Sequence, residues 1–292
     1  MEENIRWLAR NFTDFNVSQL TLADVISMKA RLAERGVGAS RVASIIYALR
    51  AFLMYARDIC RLPVVDLSGM KAPRPLRRSV EYLTEEEFRT FVDAIPLRTW
   101  TGRPRIAGYR FRALVETLFA TGMRISEALG LDRDAIAGGQ LQTTIVGKGN
   151  KERTVYFTKR ALDCIAGYLD LRRDTHKALF ATEEPARLTA NAAQRMFNRH
   201  CKFIGMRKRV TPHLVRHTTA TYLLKRGCPI GAIKEILGHN QLETTCRYYL
   251  GVLSVDDVRR LHQNHMTLDA TARPSPTPPY EATPYVPLQS GR

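Results

Sequence analysis

A chain of 292 residues with 45% hydrophobic side chains is long enough for two domains and can bury a core. It contains no run of 18 uncharged apolar residues, and we expect no signal peptide, which argues against a membrane-spanning or secreted protein. Five cysteines without a CxxC pair predict reduced thiols in a cytoplasmic protein. A net charge of +17 favours a polyanionic partner, of which nucleic acid is the commonest.

Residues 1–70 have the pattern of a small helical domain. The predicted helices cover residues 3–12, 21–34 and 40–62. Thr21 can cap the second helix and Gly36 can end it. Arg41 and Arg50 lie off the apolar stripe of the third helix, so they fit a solvated face and contact with DNA phosphates equally well.

Residues 71–81 read as a basic linker that prolines break into an extended segment. A cationic tether between two domains is suited to lying along a nucleic-acid backbone. The cations in question are Lys71, Arg74, Arg77 and Arg78.

The next predicted helix begins with a capping box formed by Thr84 and Glu87 and runs to about Ala94. Residues 96–110 are predicted to be an arginine-rich loop, and residues 111–120 have the period of an amphipathic helix.

Arg124 comes shortly after Gly122 and lies inside an apolar run, so we expect its side chain to be partly buried. A buried guanidinium needs a partner. Glu127, three residues later, can form a structural ion pair with it or can orient it toward an external phosphate, and the sequence leaves both interpretations open.

Residues 140–157 alternate like two short strands around a Gly-Lys-Gly-Asn-Lys turn, which predicts a β-hairpin. Lys148 lies at its tip, with Lys151 and Arg153 close behind. The tip either keeps the turn soluble or carries a lysine into a groove of DNA. It lacks the Lys-Ser/Thr pair of a nucleotide-binding P-loop.

The remainder of the chain is predicted to be helical up to a Pro-rich, disordered tail at residues 266–292. The predicted helices cover residues 158–173, 191–205, 212–226, 230–237 and 254–262. The helix at 191–205 reads as a basic amphipathic helix through Arg195, Arg199, His200 and Lys202. Arg207, Lys208 and Arg209 form a patch suited to phosphates. The predicted fold is mainly α with a small β-hairpin, an α+β architecture.

The segment at residues 211–249 carries the residues best suited to chemistry. They are His213, Arg216, His217, His239, Arg247, Tyr248 and Tyr249. Any one of these histidines alone is better explained as a core residue. Together, arginine grips phosphate, histidine moves protons near neutral pH, and tyrosine can act as an oxygen nucleophile. The combination points to phosphoryl transfer.

Four segments in this order resemble the tyrosine recombinases, the phage integrase family, and in particular its Xer-like and transposon-type members. The segments read ATGMRISEALGL, GKGNKER, TPHLVRH and LGHNQLETTCRYY. The resemblance implies a C-shaped two-domain clamp on duplex DNA, with a core-binding domain at residues 1–70 and a catalytic domain at residues 82–265. It also implies a tetramer on two DNA sites, a 3′-phosphotyrosine intermediate, a Holliday junction, and no cofactor or metal. A protein of this kind is expected in the cytoplasm, associated with a bacterial or archaeal nucleoid. The helix at 254–262 could then dock onto a neighbouring subunit.

The resemblance also implies a role for each matching residue. The catalytic set would be Arg124, Lys148, His213, Arg216, His239 and Tyr248, with Glu127 in an accessory position. The two arginines would hold the non-bridging oxygens of the scissile phosphate, and the lysine would be the general acid. Of the histidines, His213 would assist proton transfer and His239 would hydrogen-bond the phosphate. Family spacing selects Tyr248 rather than Tyr249 as the nucleophile.

Three other interpretations fit the sequence less well. A zinc site from His213, His217, Cys201 or Cys246 lacks paired ligand spacing. A type IB topoisomerase would use similar chemistry but would relax one duplex. A catalytically silent DNA-binding regulator would need no tyrosine at the place where this chain has one.

Overall fold

The structure is a computed structural model, and it describes residues 6–7, 16, 18–73, 81–147, 152–239, 246 and 252–266. The chain divides into two compact units, Met1–Arg78 and Ser79–Arg292. Of the helices in the described ranges, none combines the length and apolarity needed to cross a membrane.

The first unit is built on two helices, α1 (Leu22–Glu34) and α2 (Ala39–Asp58), followed by a 3₁₀ turn at Leu67–Gly69. Thr21 caps α1 as predicted, because its Oγ1 accepts from the amide of Asp24 at 3.2 Å while the Asp24 carboxylate accepts from the Thr21 amide at 2.9 Å. The core of this unit lies between the two helices and contains Val25, Met28, Leu32, Ile45, Ile46, Leu49 and Leu53. Most of the predicted helix at residues 3–12 lies outside the described residues.

The second unit begins with helices and carries one antiparallel pair of strands. Its elements are α3 (Glu85–Asp93), α4 (Ile106–Thr121), α5 (Ile125–Gly130), a 3₁₀ segment (Arg133–Gly139), β1 (Gln142–Val146), β2 (Glu152–Tyr156), α6 (Lys159–Leu169), α7 (Ala190–Phe203), α8 (Pro212–Lys225), α9 (Ile230–Leu237) and α10 (Val255–Met266). The described residues are therefore mainly helical with a small sheet, which confirms the predicted fold class.

Helix α4 is the centre of the second unit, and α6 and α8 pack on it. Its residues Leu114, Val115 and Leu118 are completely buried, and its polar residues Glu116 and Thr117 are buried too, which places the helix in the middle of the core. Aromatic rings from α3, α4 and α7 close one side of this core, with Phe91 stacked on Phe197 at 5.8 Å between ring centroids. The rigid placement of α4 fixes the position of the chain that follows it.

Three predicted boundaries in this unit were wrong. Helix α10 continues to Met266 instead of ending at residue 262. Helix α4 begins at Ile106, so residues 106–110 are helical and not part of the predicted loop. Helix α6 ends at Leu169 instead of continuing to residue 173. Beyond Leu169 the chain forms a turn, and the buried guanidinium of Arg172 binds the main-chain oxygens of Ala178 and Leu179 at 2.7 and 3.0 Å.

His200 also departs from the prediction of a basic helix face. Its ring is buried in α7, with Nε2 at 2.7 Å from the carbonyl oxygen of Phe91. Burial lowers the pKa of His200, so at neutral pH this residue is a neutral part of the core.

The predicted hairpin is confirmed in its strands. Gln142 pairs with Tyr156 at one end of the ladder and Val146 pairs with Glu152 at the other. Strand β2 contacts both α4 and α9, so the hairpin is fixed to the helices that carry the site described below. The turn at residues 148–151 lies outside the described residues.

Candidate active site

Two helices end and one begins at the place where the predicted catalytic residues meet. Helix α4 ends at Gly122 and α9 ends at Gly238, and both glycines are left-handed, with φ of 60° and 63°. Glycine adopts this conformation without a steric penalty, which allows each helix to stop abruptly. Arg124 is the residue immediately before α5, and His239 follows the end of α9.

Arg124 and Glu127 form the ion pair that their spacing suggested. Nη1 of Arg124 donates to Oε1 of Glu127 at 2.9 Å, and the main-chain amide of Arg124 donates to Oε2 at 2.8 Å. The Glu127 side chain is 7% exposed, whereas that of Arg124 is 36% exposed. The carboxylate is thus inside the protein, and the guanidinium of Arg124 keeps a face open to a ligand.

Arg153 on β2 grips the same carboxylate from the other side. Its Nη1 and Nη2 donate to the two oxygens of Glu127 at 3.0 and 2.9 Å, and its side chain is 12% exposed. Burial raises the pKa of Glu127, but hydrogen bonds from Arg153 and from the Arg124 amide outweigh burial and bring that pKa down to about 2. Glu127 is therefore ionised at any physiological pH. No sequence pattern indicates this pair, because its members are 26 residues apart.

Arg216 on α8 is held by main-chain carbonyls. It is 3% exposed, with Nη1 at 2.6 Å from the oxygen of Gly122 and Nη2 at 2.6 Å from that of Leu237. Carbonyls at helix C-termini lack intrahelical partners and carry the negative end of the helix dipole, so they suit a guanidinium. Arg124 reaches the adjacent Gly238 oxygen at 3.4 Å. Both arginines therefore converge on the two residues that precede His239.

The histidines surround this arginine pair. The rings of His213 and His217 meet edge to face, with centroids 4.3 Å apart. Burial, followed by the charges of Arg216 and Arg124, lowers the pKa of His213 and brings that of His239 to about 4. Burial and the neighbouring His213 likewise bring the pKa of His217 to about 4. Imidazoles with such pKa values are neutral at pH 7 and can donate or accept a proton.

The structure thus brings together Arg124, Glu127, His213, Arg216 and His239 from separate parts of the sequence. Two guanidiniums and two neutral imidazoles can bind a phosphate and stabilise negative charge that grows on its oxygens. Lys148, Tyr248 and Tyr249 lie outside the described residues. The described residues contain no group of three or more His, Cys, Asp or Glu side chains that could hold a metal ion.

The cations predicted to contact DNA fall into three sets. Those exposed to solvent are Arg41, Lys71, Arg195, Arg207 and Arg209. Those whose cationic groups bind acceptors within the protein are Arg50, Arg153 and Lys208. Lys208, for example, donates to the Glu87 carboxylate at 2.6 Å. Outside the described residues lie Arg74, Arg77, Arg78 and Lys151.

Comparison with curated proteins shows relatives over most of the chain. The tyrosine recombinase XerC of Alcanivorax borkumensis is 30% identical over 240 residues, which cover 78% of this chain and 75% of that protein. The XerC protein of Rhodospirillum centenum is 30% identical over 268 residues, 86% of this chain and 77% of its own length. The tyrosine recombinase XerD of Chlorobaculum tepidum is 31% identical over 231 residues, covering 77% and 75% of the two chains.

Solved structures share the fold. The crystal structure of the XerA recombinase aligns with a TM-score of 0.55 at 25% identity and covers 91% of this chain and 90% of that one. A Tn1549 transposon integrase, solved in complex with transposon right end DNA, aligns with a TM-score of 0.71 at 18% identity over 90% and 91% of the two chains. Residues 81–253 match the phage integrase family, and these residues include every member of the predicted catalytic set. The chain therefore belongs to the phage integrase family and is a tyrosine recombinase.

Proposed function

We propose that this recombinase cleaves and rejoins DNA strands through a 3′-phosphotyrosine intermediate and a Holliday junction, as a tetramer on two DNA sites. The observation that carries the proposal is the convergence of Arg124 and Arg216, which come from different helices, on the carbonyls next to His239. Two fixed guanidiniums at one place suit the non-bridging oxygens of a phosphodiester.

The proposed mechanism gives each residue a chemical task. The phosphodiester gains negative charge as a fifth oxygen arrives, and the two arginines stabilise that charge without reorganisation. Tyr248 attacks phosphorus, and His213 assists the transfer of its phenolic proton. Lys148 protonates the departing 5′ oxygen, and His239 hydrogen-bonds the phosphate. Because the phosphotyrosine ester keeps the energy of the cleaved bond, another 5′ hydroxyl can attack it and rejoin the strand without ATP.

DNA contacts and assembly are further parts of the proposal. Residues 1–70 would be the core-binding domain, residues 71–81 the linker and residues 82–265 the catalytic domain. Met266, the first residue of the predicted disordered tail, is the last residue of α10, and residues 267–292 lie outside the described residues. The exposed cations Arg41, Lys71, Arg195, Arg207 and Arg209 would contact the DNA backbone. Bacterial or archaeal DNA as the substrate implies action in the cytoplasm.

Helix α10 is the proposed contact between neighbouring subunits. Val255 and Val258 on this helix are 76% and 53% exposed. Apolar side chains on a short terminal helix are suited to a groove of another protomer. Gel filtration of the protein with DNA should give complexes larger than one protein per duplex, and only 1:1 complexes would count against the tetramer.

The decisive experiment is trapping of the covalent intermediate. A duplex that carries the presumed site and a nick near the scissile phosphate is incubated in EDTA with wild type, Tyr248→Phe and Tyr249→Phe. A covalent protein–DNA adduct that only Tyr248→Phe fails to form would identify the nucleophile and show that no divalent metal is required. Absence of an adduct from wild type on a site that it binds would favour a silent DNA-binding regulator.

A further inference from the structure

Glu127 is bound by two arginines, although one counterion would balance its negative charge. It accepts two hydrogen bonds from the Arg153 guanidinium, one from the Arg124 guanidinium and one from the Arg124 amide. Glu127 and Arg153 are 7% and 12% exposed, so water does little to screen their charges. The two arginines and the glutamate together keep one net positive charge, and that charge is on the more exposed Arg124.

Without Arg153 this group of side chains would lose its net positive charge. Arg124 and Glu127 alone would form a neutral pair, and the full negative charge of the carboxylate would act on the guanidinium that is placed for the phosphate. Arg153 is therefore a second counterion for Glu127, as in a buried triad, and the three side chains together keep one positive charge.

The backbone beside His239 is shaped around Arg153. A Cβ atom at Gly238 would lie 2.7 Å from Cδ and 2.8 Å from both Nε and Nη1 of Arg153. The absence of a side chain at Gly238 thus provides the space in which Arg153 lies. The carbonyl of the same glycine accepts from Arg124 at 3.4 Å. Arg153, Arg124 and the end of α9 therefore form one packed junction.

We propose that Arg153 is a positioning residue that neutralises Glu127, so that Arg124 keeps its positive charge available for the scissile phosphate. The proposal rests on the proposed function for its substrate. It places Arg153 inside the site's electrostatics instead of on the DNA-binding surface.

The test compares rates of covalent adduct formation on the nicked duplex for wild type, Arg153→Met, Arg153→Lys and the double variant Arg153→Met/Glu127→Gln. Arg153→Met should react about 10²-fold more slowly, the size of effect expected when one preorganised electrostatic contact is lost. Arg153→Lys restores the charge and should recover to within about tenfold of wild type. The double variant also restores one net positive charge and should react faster than Arg153→Met alone.

Arg160→Met is the matched control. Arg160 pairs with Glu116 at 2.7 Å, with side chains 18% and 4% exposed, in the core between α4 and α6. Its loss should lower the melting temperature and leave the rate of adduct formation within about threefold of wild type at a temperature where the protein is folded. A double variant no faster than Arg153→Met, together with Arg153→Lys as slow as Arg153→Met, would overturn the proposal and leave Arg153 a structural residue.

A second measurement needs no catalysis. Each variant is melted with and without inorganic vanadate as a phosphate-like anion. Vanadate should raise the melting temperature of wild type and of the double variant more than that of Arg153→Met. A wild type that forms no adduct but shows this pattern would contradict the proposed function and support the role of Arg153. A wild type that vanadate does not stabilise, or equal shifts in all variants, would contradict the role of Arg153.

Discussion

Glu127 and Glu116 both have side chains hidden from solvent and each faces an arginine, yet their pKa values move in opposite directions. Their side chains are 7% and 4% exposed. For Glu116, burial raises the pKa and outweighs the attraction of Arg160, whose Nε donates to it at 2.7 Å. For Glu127, burial acts in the same direction, but two guanidiniums and a main-chain amide bring the pKa down to about 2. Glu127 accepts from two guanidiniums and an amide, whereas Glu116 accepts from one guanidinium and is the more deeply buried of the two.

This difference identifies which carboxylate belongs to the site. A core ion pair needs only enough attraction to offset the cost of burying its charges. Glu127 has two arginine counterions for one negative charge. The net positive charge that remains faces the place where the arginines and histidines meet. An over-compensated carboxylate is thus a local sign of a site that binds an anion.

The largest expected effect is a contrast between Glu127→Gln and Glu116→Gln in unfolding free energy. Glu127→Gln leaves two buried guanidiniums without their counterion and should cost about 3–5 kcal/mol. Glu116→Gln leaves one buried guanidinium without its counterion instead of two, and it removes a carboxylate whose charge burial opposes, so it should cost less, about 1–2 kcal/mol. Urea unfolding of both variants at pH 7 measures the contrast. Equal losses would show that the two pairs do not differ in the way their donors suggest.

The same contrast should appear as opposite dependences of stability on pH. The folded-state pKa of Glu127 is lowered from 4.5 to about 2, so its stabilisation of about 3 kcal/mol is complete above pH 4.5 and is lost as the pH falls toward 2. The pKa of Glu116 is raised in the folded state, so protonation of this residue stabilises the fold as the pH falls through that raised value.

Urea midpoints of wild type and both variants between pH 3 and pH 7 separate these contributions. Glu127→Gln should flatten the acid side of the wild-type profile, and Glu116→Gln should steepen the loss of stability on acidification. Superimposable profiles for the two variants would show that Glu127 and Glu116 do not differ in their contributions to the pH dependence of stability.

Gly238→Ala tests whether catalysis depends on the close packing of Arg153 against Gly238. Left-handed backbone costs a residue with a Cβ about 1–2 kcal/mol, and here the Cβ would also displace Arg153. Gly205→Ala is the matched control, because its φ of 64° is nearly identical and a Cβ there meets nothing within 4 Å. Both variants should lose stability in urea, but only Gly238→Ala should also slow adduct formation. Equal rates in the two variants would mean that the packing at Gly238 has no part in catalysis.

Local structure was largely predictable from the sequence, whereas the partners of the site residues were not. Thr84 and Glu87 announce the start of α3, and Gly122 and Gly238 lie where α4 and α9 stop. The start of α4 was predicted too late. Its N-cap, Arg105, makes no side-chain capping bond and therefore leaves no signal in the sequence.

The catalytic candidates were found from residue types and a family resemblance, but their contacts depend on the tertiary fold. Arg216 binds carbonyls that are 94 and 21 residues away, and main-chain acceptors have no sequence signature. Arg153 looked like a surface cation because a strand beside a basic turn usually exposes its charges. Only the fold places the Glu127 carboxylate and the bare backbone of Gly238 against it.

The smallest expected effect extends the comparison from carboxylates to histidines. Burial lowers the pKa of His200, whose ring is committed to the Phe91 carbonyl in the core. His239 has a pKa of about 4 because burial and then Arg216 and Arg124 disfavour its charge. A phosphate bound beside those arginines would favour the charged form of His239 and raise its pKa, and His200 should not respond. DNA binding at pH 6 should therefore take up a few tenths of a proton.

Calorimetric titrations in two buffers of different ionisation enthalpy measure this uptake. It should vanish at pH 8, where a moderately raised pKa leaves His239 neutral in both states, and it should be reduced in His239→Gln at pH 6. His262→Gln, on the exposed side of α10, should behave as wild type. Uptake that persists unchanged in His239→Gln would assign the proton to another group. It would also show that the positive charge around Glu127 does not control the protonation of His239.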